Sequence, residues 1–199
     1  MTITIPLFPL NGVIFFPNSQ LPLNIFEEKY LEMIDYSLST NRLIGMIQFN
    51  DNKFYKVGCL GKISSFFETE NNRYVINLSG KNYFSINKEL PKTKKFILAN
   101  VKLIDEKKPI IKKNITKFDK DLLISKYKMY AENLNMNIDF KLIKKIDNES
   151  LIKFMAMSCP FSTSEKQMLI EIYDINELGN KIIGLFDFYS NTKANDTIN

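Results

Sequence analysis

The stretch Ile5-Pro6-Leu7-Phe8-Pro9-Leu10-Asn11-Gly12-Val13-Ile14-Phe15-Phe16-Pro17, continued by Leu21-Pro22-Leu23-Asn24-Ile25-Phe26-Glu27-Glu28-Lys29-Tyr30, decides the fold of this 199-residue chain. Its apolar residues are punctuated by Pro6, Pro9, Pro17 and Pro22. A proline has no backbone N–H to give to a sheet ladder, so strands built here are short, bent or at edges. Directly afterwards Phe26, Tyr30, Met33, Ile34 and Leu38 recur at helical spacing, which predicts a helix over 26–38. Glu27, Glu28 and Glu32 fall in its first turns, where they oppose the positive end of the helix dipole.

Working outward, residues 2–7, 13–16, 43–49, 55–65, 73–78, 83–86 and 96–104 alternate in polarity or are β-branched, and read as strands. Asn71-Asn72 lies between two polar-apolar alternations, and two Asn can occupy the positive-φ positions of a tight hairpin. Past residue 115 the period becomes 3.6. Leu122, Leu123, Lys126, Tyr127 and Tyr130 mark one helix; Leu151, Phe154, Met155 and Ser158 mark another that stops before Pro160. Ser162 with Glu165, and Asp174 with Glu177, have capping-box spacing and open two more. The expected class is α+β: a mostly antiparallel β-barrel with one inserted helix over 1–115, a helical bundle over 116–192, and a disordered tail over 193–199.

The chain has no His and no Trp, and its two cysteines, Cys59 and Cys159, stand far apart. A His/Cys zinc site is excluded, as are Ser-His-Asp and Cys-His catalysis, because the base is missing. Gly179 and Gly184 have the spacing of a phosphate loop but no following Lys, and they fall inside a predicted helix, so both read as helix-packing positions. Gly58-Cys59-Leu60-Gly61 reads as close strand packing or a bulge, and each cysteine as a small buried hydrophobe of a reducing compartment. No catalytic residue, metal or cofactor is expected. A Ser-Lys pair is compatible with the composition, though no local pattern singles one out. The N-terminus lacks a signal peptide, and no run approaches the ~18 apolar residues of a membrane span, so the expected location is the cytoplasm, without a membrane partner.

The formal net charge is +5. Only Arg42 and Arg73 are arginines; the other basic residues are lysines, which lack the planar fork that reads guanine or clamps phosphate. The excess is concentrated in 88–128, at thirteen basic against five acidic side chains. Within it Lys92, Lys94, Lys95, Lys107, Lys108, Lys112 and Lys113 flank Pro91 and Pro109, the pattern of solvated loops near a boundary. Nucleic acid is the weaker partner reading.

Taken together, the opening and its continuation resemble the LON substrate-binding domain found at the N-terminus of Lon proteases. The likeness extends to Ile44-Gly45-Met46-Ile47, to 57–63, to Leu78-Ser79-Gly80-Lys81-Asn82-Tyr83-Phe84, and to 149–161 and 165–171. The resemblance implies a PUA-like barrel followed by a helical bundle. It also implies a stand-alone domain without the ATPase and Ser-Lys protease modules. Asn24 stands where His is common in stand-alone bacterial members, and Lys29 where Arg is usual.

The expected function is a non-catalytic module that binds unfolded or extended polypeptide segments, with a protease or chaperone as a further partner. Binding would use strand addition at a bent edge or an apolar groove between barrel and bundle. Candidate contacts are Phe26, Glu28, Lys29 and Tyr30; for Phe26 and Tyr30 the competing reading is packing of helix on barrel. The alternative function is an RNA-binding PUA-like protein using the Lys-rich 88–128 segment, and a third is hydrolysis by an unrecognised Ser-Lys pair.

Overall fold

A computed structural model describes residues 2–50, 53–71, 73–91, 93–104 and 117–196, with side chains to residue 191. Its strands are β1 (Thr2–Pro9), β2 (Gln20–Ile25), β3 (Leu43–Ile47), β4 (Phe49–Asn50), β5 (Lys53–Phe54), β6 (Val57–Glu68), β7 (Tyr74–Glu89) and β8 (Ile97–Leu103). The helices are α1 (Glu28–Leu38), α2 (Lys120–Asn133), α3 (Phe140–Lys145), α4 (Asn148–Ser158), α5 (Thr163–Ile170) and α6 (Ile175–Asp196). The class is α+β. Two compact units are present, one of Met1–Lys108 with Pro160–Glu171 and one of Pro109–Cys159 with Ile172–Asn199.

In the first unit the strand order is β2-β7-β6-β3-β1-β8, and a further pairing of β7 with β8 closes the sheet on itself. All pairings are antiparallel except β1 with β3. The two strands expected over 73–78 and 83–86 are one 16-residue strand, β7. Its first half pairs with β2 and its last part with β8, while β6 runs beside most of it. Register shifts at Leu60/Gly61, Ile63/Ser65 and Ile86/Lys88 bend the ladder, the local device by which a long strand follows a closing sheet. Ile5, Leu7, Ile47, Leu60, Phe84, Ala99 and Val101 fill the interior.

Residues 13–16 were expected as a strand and instead form a buried loop, in which Ile14, Phe15 and Phe16 are almost wholly removed from water. The loop is bounded by Gly12 and Asn18, both at positive φ, and by Pro17, so it cannot run on as a strand. Its polar groups are met locally: the Ser19 hydroxyl donates to Phe16 O at 2.6 Å and accepts from Phe16 N at 3.2 Å. Asn18 N then donates to Gly80 O, and Gly80 N to Ser19 O. A Cβ on Gly80 would sit 2.0 Å from the Phe16 carbonyl oxygen, so only glycine fits this crossing. Gly58 is close-packed similarly, since a Cβ there would sit 2.3 Å from Met46 O, and Cys59 and Cys159 are both buried and not joined in a disulfide.

Helix α5 belongs to this unit and is seated by polar contacts. The Gln167 amide donates to Val57 O at 3.1 Å and to Glu171 at 2.8 Å. The Gln48 amide donates to Gln167 Oε1 at 3.1 Å, and the Thr163 hydroxyl to Asn11 Oδ1 at 2.9 Å. The expected capping box of Ser162 and Glu165 opens it. The hairpin turn expected at Asn71-Asn72 is bracketed by a Thr69 N–H to Arg73 O bond, with Asn72 outside the described residues.

In the second unit Tyr127 and Tyr130 of α2 pack on Phe186 of α6, with ring centroids 5.3 and 4.9 Å apart. Phe118 lies over Gly179, where a Cβ would meet its ring at 2.5 Å. Gly184 departs from the expected packing role, because nothing lies within 4 Å of its would-be Cβ. Helix α3 was not foreseen: six residues are too few to display a period, and Asp139 caps it locally. Asp174 accepts from Asn176 N and Glu177 N at the start of α6. Of the tail expected to be disordered over 193–199, residues 193–196 continue α6 instead, and 197–199 lie outside the described residues.

Gly80 and Gly184 respond oppositely to a methyl group. Gly80→Ala lowers stability by about 3 kcal/mol, since a backbone carbonyl cannot step aside as a flexible side chain would. Gly184→Ala, in an open helical position, raises it by about 1 kcal/mol. Denaturant midpoints of the two variants measure both effects.

Candidate functional site

Strand alternation assigns the side chains of β2, β6 and β7 to two faces. Ile25, Ile76 and Leu78 are buried and define the inner face. The register pairs Asn24 with Val75 and Val75 with Phe67, and pairs Pro22 with Asn77 and Asn77 with Ser65, so these residues share the outer face. Just past the pairing, the Arg73 guanidinium lies over the Phe26 ring, 5.8 Å from its centroid. Phe26 is 62% exposed, Phe67 67% and Val75 43%. Large apolar side chains standing together in water on one sheet face mark a surface built to be covered.

Beside this face is an open cleft of about 590 Å³ lined by Pro9, Leu10, Asn11, Glu27, Lys29, Tyr30, Phe49 and Phe54. The end of β1 supplies one wall and the start of α1 another, and the small β4–β5 hairpin contributes Phe49 and Phe54, which pair across it. Tyr30 is half-buried, its ring 4.5 Å from that of Phe8. Lys29 Nζ is 3.0 Å from Glu27 and 4.5 Å from the Tyr30 centroid, which leaves the cleft electrically balanced. The hydrogen bond to Glu27 raises the Lys29 pKa above its ordinary value.

Of the four residues singled out by sequence, Lys29 and Tyr30 line the cleft and Phe26 stands on the outer face. Phe26 is therefore not packed between helix and barrel; it precedes α1, whose first residue is Glu28. Glu28 turns to Lys95, and their hydrogen bond and ion pair hold its carboxyl below the usual range. Val75, Phe67, Phe49 and Phe54 were missed. Their exposure follows from the register shift at Ile63/Ser65 and from a two-residue strand pair, neither of which a hydropathy pattern carries. In the Lys-rich segment Lys94 lies 5.0 Å from the Tyr36 centroid, and Lys92, Lys107, Lys108, Lys112 and Lys113 lie outside the described residues. Among the described residues no helix is long and apolar enough to cross a membrane.

The model of the ATP-dependent protease La (LON) substrate-binding domain matches residues 4–187. The chain is 23% identical over 194 residues to the Lon protease of Cytophaga hutchinsonii, covering 92% of this chain and 24% of that protein. It is 24% identical over 194 residues to the Lon protease of Parabacteroides distasonis, with 90% and 23% covered. It thus spans about a quarter of the length of these relatives. Among solved structures, the N-terminal domain of Mycobacterium avium complex Lon protease matches with a TM-score of 0.67 at 14% identity, covering 93% of this chain and 98% of that one. A Lon N-terminal domain protein from Xanthomonas campestris matches with a TM-score of 0.63 at 17% identity, covering 92% and 98%. Both are likenesses of fold.

The Tyr74 hydroxyl, on the inner side of the sheet, donates to Asp35 Oδ1 at 2.7 Å, tying β7 to α1, and this bond pushes its pKa to about 12. A raised folded-state pKa means that the contribution is fully present below the ordinary phenol value near 10 and is lost as pH rises through about 12. Tyr127, held up to about 12 mainly by burial, titrates in the same range. Ultraviolet titration of the phenols is expected to show this late-ionising pair, and Tyr74→Phe to remove one member while leaving the other.

Proposed function

The chain belongs to the LON substrate-binding domain family, and on that footing we propose that it is a polypeptide-binding module that captures unfolded or extended segments of other proteins. The observation that carries this reading is the outer face of β2, β7 and β6, where Phe26, Val75 and Phe67 stand exposed on one surface. An unfolded chain offers apolar side chains in no fixed order, and a broad apolar face accepts them with little demand for sequence. The adjoining cleft, with Tyr30, Phe49 and Phe54, gives a single larger side chain a place to insert.

Side-chain capture on the face, rather than strand addition, is the mode that fits β2. This strand pairs with β7 alone, but Pro22 at its middle has no N–H to offer on the free side, so an added strand would lose a ladder bond there. The module acts by binding, and any cleavage of the captured chain falls to a partner protease.

Fluorescence anisotropy with a labelled, permanently unfolded casein tests this. The double variant Phe26→Ser, Phe67→Ser is expected to weaken binding about tenfold with an unchanged melting temperature, as both rings are exposed. Phe188→Ser, which removes an equally exposed ring from the other unit, serves as the control and leaves affinity unchanged. Equal affinity of the double variant and the parent chain would refute the assignment of this face. Casein incubated with the chain, with or without ATP, stays intact; fragments would overturn the binding-only reading.

A further inference from the structure

We propose that the outer face of β2, β7 and β6 selects apolar segments that carry an Asp or Glu side chain next but one to the apolar residue, and that Arg73 reads that carboxylate. The inference rests on the polypeptide-binding reading and adds a substrate class to it.

Toward its Phe26 end, register places Pro22, Asn24, Asn77, Val75, Ser65 and Phe67 on this face, with Phe26 and Arg73 following. Arg73 is the one charged residue at that end; Lys62, in register with Ser79, is a second cation at the far end of the face. Asn77 already donates to Gln20 Oε1 at 2.9 Å, so the amides satisfy one another. Arg73 makes no ion pair among the described residues. Glu68 pairs in register with Tyr74 on the opposite face, Glu27 is bound to Lys29, and Glu70 in the adjacent turn forms no ion pair with it.

A guanidinium laid over an aromatic ring keeps its N–H groups in the plane, pointing away from the ring edge. The ring attracts the cation without consuming its N–H donors, so the fork stays available to a carboxylate that binds in two-point fashion. Lysine, the common base in this chain, offers no such fork.

Spacing supplies the rest. Arg73 and Val75 are two residues apart on one extended strand, about 7 Å, and two same-face side chains of an extended ligand are separated by the same distance. A peptide lying along β7 with an apolar side chain between Val75 and Phe67 therefore brings the side chain two positions away to Arg73. A carboxylate there meets an unspent cation beside an apolar surface; an amide gains less, and an ammonium is repelled.

The test uses three N-acetylated, C-amidated ten-residue peptides, identical except for Glu, Gln or Lys two positions from a single Phe, so that no terminal carboxylate competes. Anisotropy at low salt is expected to rank Glu about fivefold tighter than Gln, with Lys weakest. The preference shrinks to within twofold in 1 M salt and in Arg73→Gln, and it persists in Arg42→Gln, whose guanidinium lies over Phe66 instead. Both arginines are exposed, and unchanged melting temperatures verify that the variants are folded. Equal binding of the Glu and Gln peptides, or a preference that survives Arg73→Gln, would overturn the inference alone. Failure of every peptide to bind would remove the polypeptide-binding reading as well. Tighter binding of a ten-nucleotide single-stranded RNA than of the Glu peptide would transfer Arg73 to a different class of partner and also refute the proposal.

Discussion

The first unit depends on one contact, the Phe16 carbonyl lying against the backbone of Gly80. Glycine leaves room for that oxygen, and the bonds from Asn18 N to Gly80 O and from Gly80 N to Ser19 O lock the loop to β7. Two consequences follow from the same point. Upstream, Ile14, Phe15 and Phe16 are held in the interior, each worth about 1.5–3 kcal/mol of burial. Downstream, β2 starts at Gln20, opposite Ser79, and its whole register with β7 is set. A slip by one residue would turn Asn24 and Pro22 inward and Ile25 outward, and the outer face would cease to exist.

That face is also a product of sheet irregularity. The shift at Ile63/Ser65 re-aims the end of β6 so that Phe67 stands with Val75 rather than with Tyr74. Phe66, turned to the other side, meets the Tyr74 ring at 6.4 Å, and the Tyr74 hydroxyl reaches Asp35 of α1. Tyr74 thereby joins sheet to helix with the half-exposed Phe66 beside it, while Phe67 is left to water. The Tyr74 bond to α1 and the outward turn of Phe67 together let this strand end be held and still present an apolar surface.

Much of this was legible beforehand, and the failures have physical causes. The prolines of 6–22 pointed to strands that are short, bent or at edges; Pro22 does sit in the terminal strand of the sheet order, whereas Pro6 and Pro9 lie in β1, an eight-residue strand paired with both β3 and β8. The helix after residue 26 was legible from its period because α1 has a buried side, with Met33 and Ile34 at 0% exposure. The alternation at 73–78 and 83–86 was read correctly as extended backbone but split in two, because Gly80 looks like a break and is a crossing point. Residues 13–16 look like a strand because β-branched and aromatic residues suit both a sheet and a buried loop. What decides between them is hydrogen bonding by Ser19 and Gly80, which is a tertiary fact. Lys29 and Tyr30, singled out through their motif, line the cleft. Phe49 and Phe54 were not singled out, since a strand of two residues has no period.

The arginines carry the last step. Scarcity of Arg in a Lys-rich chain argues against nucleic-acid binding as long as only the count is considered. Position gives the count a different meaning. Both arginines stand over exposed phenylalanines near the same strand ends, Arg42 over Phe66 and Arg73 over Phe26. Lysines cover aromatic rings here as well, Lys94 over Tyr36 and Phe96, but an ammonium on a flexible stem is a compact point charge without a planar fork. Exchange of Arg73 for Lys would keep the net charge and the attraction to the ring while losing the planar fork. Arginine at that position is thus accounted for by directional recognition beside an apolar surface, a demand that neither fold stability nor net charge imposes.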